Sequence, residues 1–124
     1  MERAYSATIN HASRDLTKQE KIRFKDTSDC VRLDEATKES ELIITPDMFV
    51  VLDVHNEKAK DDKDYRQYII VDADGTKYLT GSQNLFDTFL DIFKEMEGET
   101  FQLKIYRMPS RNYKGKDFLT CSIV

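Results

Sequence analysis

Cysteine, glycine, proline and long apolar runs are all scarce in this chain, and tryptophan is absent. Two cysteines, Cys30 and Cys121, cannot supply a disulfide framework. Cys121 stands in a β-type run, where an unpaired thiol behaves as a small buried hydrophobe, so both are expected as reduced thiols in a cytosolic protein. The four glycines never gather into a phosphate-cradling loop, and no Cys-x-x-Cys or nucleophile elbow is present. No stretch approaches the roughly 18 apolar residues of a membrane helix. The opening Met1-Glu2-Arg3-Ala4-Tyr5 carries no apolar signal region. A pI near 5.2 and a net charge of −4 exclude a generic polyanion binder, so any such binding must come from a local patch.

What is present is enough for one domain with its own core: 124 residues, 34% of them charged, with no fixed-period repeat. Residues 1–15 are polar and aperiodic and read as a mobile arm. Thr17-Lys18-Gln19-Glu20 has the capping-box pattern, in which the Thr hydroxyl and the Glu carboxylate each satisfy a backbone donor at a helix start. A short helix to about Lys25 follows, with Ile22 expected as its main apolar contact. Residues 26–41 offer Val31 and Leu33 to a core and read as a connecting segment.

Leu42-Ile43-Ile44 is a short apolar run ended by Thr45-Pro46, where the missing proline N–H interrupts a strand. Met48 to His55 is the best strand in the chain. It places Met48, Val50, Leu52 and Val54 on one wholly apolar side, and Phe49, Val51, Asp53 and His55 on the other. Tyr68-Ile69-Ile70-Val71 and Lys77-Tyr78-Leu79-Thr80 flank an Asp74-Gly75 turn. Ser82 then caps an amphipathic helix through Leu85, Phe86, Phe89, Ile92, Phe93 and Met96, which Gly98 stops. The pattern predicts strands near 47–56, 66–73, 76–81, 100–107 and 116–123, with a helix near 83–97. Five strands with one helix after the third is the order of an OB-fold barrel, although an α+β roll could share it. The fold expected is thus all-β: a five-stranded OB-fold at 41–124, with residues 1–40 as an N-terminal helical extension.

Candidate chemistry is thin. Asp61-Asp62-Lys63-Asp64 lies in a Lys-rich loop and reads as a solvated charge run rather than metal ligands. Asp72-Ala73-Asp74-Gly75 opens like a calcium loop, but the closing Glu position is Gln83, so a turn is expected. His11 and His55 match no cysteine at metal-ligand spacing. No catalytic residue, metal site or cofactor is expected. The basic 14–25 segment (Arg14, Lys18, Lys21, Arg23, Lys25) is a candidate polyanion surface, against a plain reading as a solvated helix face.

The final quarter is different. From residue 100 onward Lys104, Arg107, Arg111, Lys114 and Lys116 stand against Asp117 alone, a balance of about +4. Tyr113 sits at the centre of Arg111-Asn112-Tyr113-Lys114-Gly115-Lys116, where no core is available to hold it. A base can stack there while the cations meet phosphates. Tyr68, Tyr78, Tyr106 and Phe118 are further aromatics on strands, where packing is the competing explanation.

These residues bear a resemblance to a known family. Tyr68-Ile69-Ile70-Val71, Asp74-Gly75-Thr76-Lys77-Tyr78, the Leu85–Met96 helix, Glu99 to Ile105 and Ser110 to Phe118 together resemble the small single-stranded-DNA-binding proteins of tailed phages infecting Gram-positive bacteria. The resemblance covers residues 66–124 and not the first 40. It implies an OB-fold and non-catalytic coating of single strands in replication or recombination, in the host cell cytoplasm. The acidic, Gly-rich tail of bacterial relatives has no counterpart at Ser122-Ile123-Val124, so partner recruitment through one is not carried over. The nucleic-acid-binding residues expected are Tyr113, Arg111, Lys114, Lys116, Arg107, Tyr68, Tyr78 and Tyr106. The partners expected are single-stranded DNA, replication or recombination proteins and a second copy of the chain, with no membrane. A protein-interaction module on the same barrel is the alternative, and a nucleic-acid enzyme the third reading.

Overall fold

The computed structural model describes residues 5–59, 63–109 and 117–124. It is mostly β, with eight strands and three helices in the order β1 (Tyr5–Ala12), α1 (Lys18–Lys25), β2 (Val31–Arg32), α2 (Leu33–Ala36), β3 (Leu42–Ile44), β4 (Pro46–Asn56), β5 (Asp64–Asp72), β6 (Lys77–Thr80), α3 (Gln83–Glu95), β7 (Leu103–Pro109) and β8 (Asp117–Ile123). The predicted succession of three strands, a helix and two strands is present as β4 to β8. The expected single five-stranded barrel is not. Among the described residues the strands form a five-stranded sheet, β1-β4-β5-β6-β2, and a three-stranded sheet, β3-β7-β8, without closing into one barrel. Only Thr45 separates β3 from β4, so the chain crosses from the small sheet to the large one at the predicted proline break.

β4 is the spine because both its faces are buried. Phe49 and Val51 join Tyr68, Ile70, Leu85, Phe86, Phe89, Leu103, Ile105 and Leu119 in a core between the large sheet, α3 and the small sheet. Met48, Val50, Leu52 and Val54 meet Ile69, Val71, Leu79 and Phe24 of α1 in a second core on the opposite face. In α3, Ser82 accepts the Leu85 N–H at 3.2 Å, and Gly98 takes φ +84° just past the helix end. Phe86 and Phe89 are buried as expected, whereas Phe93 is only partly covered at the rim.

The N-terminal third departs most from expectation. The supposed mobile arm is β1, which pairs antiparallel with β4 from Tyr5↔Asn56 to Ala12↔Val50, with a register shift between Ile9 and His11. The capping box of α1 is formed, Thr17 Oγ1 accepting from Glu20 N at 3.1 Å and Glu20 Oε1 from Thr17 N at 3.0 Å. Its inward side chain is Phe24, however, and Ile22 is 70% exposed. Residues two positions apart on a helix, such as Ile22 and Phe24, lie about 200° apart around its axis, so burying one turns the other to solvent. Leu33 is fully buried as predicted, and Val31 is exposed.

Lys77 fastens α1 to the sheet. Its ammonium donates to the carbonyls of Arg23 (3.0 Å) and Asp26 (3.2 Å) and pairs with Asp29 at 2.7 Å. A cation at a helix C-terminus satisfies carbonyls that have no helical donor. Lys77→Met should therefore lower stability by about 1.5–3 kcal/mol, the range for hydrogen bonds to charged groups. Chemical denaturation reads the loss, and amide exchange should quicken in α1 before the rest of the chain.

Candidate nucleic-acid interface

Alternation along β7 and β8 sorts their side chains onto two faces. Leu103, Ile105, Leu119 and Cys121 point into the core. Burial lifts the Cys121 thiol to about 12, so it is no nucleophile at neutral pH. The outward positions pair across the strands as Lys104↔Ser122, Tyr106↔Thr120 and Met108↔Phe118, and Ile43 of β3 stands beside Lys104. Met108 (43%), Phe118 (41%) and Ile43 (51%) are exposed large apolar groups, and Tyr106 is half-buried. Tyr106 and Phe118 are diagonal neighbours on this face, a relation that spaces residues about 7–8 Å apart. The Lys104 ammonium lies 5.0 Å from the Tyr106 ring centroid, with Glu41 only loosely near at 3.9 Å. This sheet face carries aromatics and a cation, and in sequence the basic residues 110–116 lie between its two strands.

Of the residues expected from sequence, Tyr113, Arg111, Lys114 and Lys116 lie outside the described residues. Tyr106 is on the exposed face. Tyr68 is not: it is 6% exposed and stacked on Phe86 at 4.2 Å, because α3 covers the sheet face on which it stands. One face of its ring is taken by Phe86. Tyr78 packs half-buried against the same core, and burial raises its phenol. Arg107 is held by structure, its Nε donating to Thr37 Oγ1 at 3.3 Å and its Nη2 to the Asp34 carbonyl, which ties the hairpin to α2. Lys104, Met108 and Phe118 were missing from the expected set. Counting in twos outward from the apolar Leu103 and Ile105 finds Lys104, Tyr106 and Met108 on the opposite face.

A groove of about 760 Å³ lies elsewhere, between α3 and the large sheet over Phe49, Val51, Phe86, Leu90 and Phe93. Its charges balance, Arg66 and Lys94 against Asp87 and Glu97. Beyond it Asp53 accepts from Arg66 Nε and from Asn10 Nδ2, each at 2.9 Å. Such a lining has no net pull on a polyanion. The Asp72–Gly75 segment is the predicted turn, with Gly75 at φ +91° and the Asp72 carboxylate accepting the Thr45 N–H at 2.6 Å. Among the described residues no group of three or more His, Cys, Asp or Glu could hold a metal, and no helix is long and apolar enough to cross a membrane.

His55 carries a testable electrostatic signature. Its Nδ1 meets Asp64 at 2.7 Å and its Nε2 meets Glu57 at 2.5 Å, and these two carboxylates raise its pKa above the ordinary value. A raised folded-state pKa means stabilisation that is complete below the unfolded value of about 6.5 and lost as pH rises through the folded one. An NMR titration should show His55 titrating above the ordinary imidazole value, and Asp64→Asn should bring it down.

Comparison with family models, with curated proteins and with solved structures returns no match to this chain.

Proposed function

We propose that this protein binds single-stranded nucleic acid, without strong sequence preference, across the exposed face of the β7–β8 hairpin. Tyr106 and Phe118 act as stacking platforms, while Lys104 and the cations Arg111, Lys114 and Lys116 meet phosphates. The observation that carries the reading is the pairing of two exposed-face aromatics, one of them under a lysine, with a strongly basic stretch of sequence between their strands. Stacking suits any base because each has a π-face, and an acidic domain has no folding reason to gather cations there.

The resemblance to phage single-stranded-DNA-binding proteins fits this reading, with strand coating in replication or recombination as the role. The order of β4 to β8 and the crossing of β3–β4 between the two sheets support an OB-type relationship, here in an unclosed form. The exposed Met108, Phe118 and Ile43 also suit a protein-interaction surface, which is the second reading.

Anisotropy of labelled oligo-dT across a salt series separates the two. Strand binding should exceed duplex binding and weaken steeply with salt, each phosphate contact contributing about 0.7 to the slope. Arg111→Ala and Lys114→Ala should each flatten that slope, and Tyr113→Ala should weaken binding with stability retained. No oligo-dT binding at low salt rejects the proposal and leaves the protein-interaction reading.

A further inference from the structure

The large sheet ends at β1 on one side and at the two-residue β2 on the other. Of the small sheet's edges, β3 has three residues, and β8 runs beside α3, with the Cys121 thiol 3.8 Å from the Leu85 carbonyl. β1 is therefore the long open edge, with backbone donors and acceptors unpaired on its outer side among the described residues. Edge strands are usually protected by lysine, proline or inward charge. Tyr5–Ala12 carries no charged residue and no proline in a chain that is 34% charged. The register shift after Ile9 leaves Tyr5–Ile9 as its regular portion.

From this we infer that β1 pairs antiparallel with β1 of a second copy of the chain about a two-fold axis at Ala7, joining two large sheets into one. The sequence is self-complementary about that residue. Ala7 faces its own copy, Tyr5 stands opposite Ile9 of the partner subunit, and Ser6 stands opposite Thr8 of the partner subunit. Aromatic against β-branched and Ser against Thr are both favourable cross-strand pairs. They also segregate by face. Ala7 and Ile9 lie on the side that packs against Leu52 and Val54, whereas Ser6 and Thr8 lie on the side of Asp53 and His55. A two-fold axis sets each charge near its own copy, so a charge-free strand suits self-pairing better than capture of a charged peptide. The inference does not rest on nucleic-acid binding.

Sedimentation equilibrium at micromolar to submillimolar concentration tests it. The native chain should approach twice its 14.5 kDa mass. Ser6 and Thr8 are exposed, so substitutions there should leave the fold intact, as circular dichroism can verify. Ser6→Lys with Thr8→Lys sets lysine opposite lysine and should give a monomer. Ser6→Glu with Thr8→Lys sets opposite charges at the same two positions and should restore the dimer. A monomeric native chain, a dimer indifferent to the double-lysine variant, or failure of the charge-swapped variant to restore it would each overturn the inference.

Discussion

Phe89→Ala should remove about 3–5 kcal/mol of unfolding free energy, the usual cost of truncating a buried phenylalanine. Phe89 is fully buried, with ring centroids 5.9 Å from Phe49, 5.8 Å from Phe86 and 5.4 Å from Phe93. It holds α3 in the space between the two sheets. Much of a domain's stability is of this size, so the variant should be partly unfolded at modest temperature. Urea denaturation should show a lower midpoint with an unchanged slope. Whatever fraction remains folded should still bind oligo-dT, because α3 lies on the far side of β7 and β8 from the exposed aromatics. A variant that kept its melting point and lost binding would make α3 a binding element instead.

The central fold was legible because its signals were strong. β4 is almost continuously apolar, and α3 places Leu85, Phe86 and Phe89 on one face between Ser82 and Gly98, so pattern and punctuation agree. β1 was illegible for the opposite reason. Ala7, Ile9 and Ala12 turn toward a core, but the irregularity after Ile9 breaks the alternation between Ile9 and Ala12. What makes Tyr5–Ala12 a strand is the ladder with β4, a partner some forty residues away that no local window contains. Ile22 misled because hydrophobicity alone does not say which side of α1 meets the sheet. Phe24 wins that side, with Lys77 over its ring at 5.8 Å.

The site was half legible. The basic loop stands out in the sequence, and Tyr106 falls on the exposed face. Tyr68 and Arg107 have the right chemistry but are consumed by packing and by α2, contacts that depend on tertiary structure. Conversely, Phe118 looks like a core residue in a strand, and only its pairing with Met108 puts it outside.

Tyr106→Ala combined with Phe118→Ala should therefore have the largest effect on binding. Each stacked base is worth about 1–3 kcal/mol, and each 1.4 kcal/mol is about tenfold in affinity. The double variant should bind oligo-dT at least about thirtyfold more weakly if both rings stack on bases. Stability should change little, since Phe118 is 41% exposed and its neighbour across the strand, Met108, is exposed as well. The salt slope should persist, because the cations remain. Loss of slope with the rings alone removed would mean that the aromatics position the loop rather than stack.

The most direct test is to titrate oligo-dT into the isotope-labelled chain and follow backbone amide shifts by NMR. The largest changes should fall at Lys104, Tyr106, Met108, Phe118 and Thr120, with Phe89 and Ile69 unmoved. Changes confined to Asn10, His55, Arg66 and Gln83 along the groove, or no changes at saturating oligonucleotide, would contradict strand binding at this hairpin.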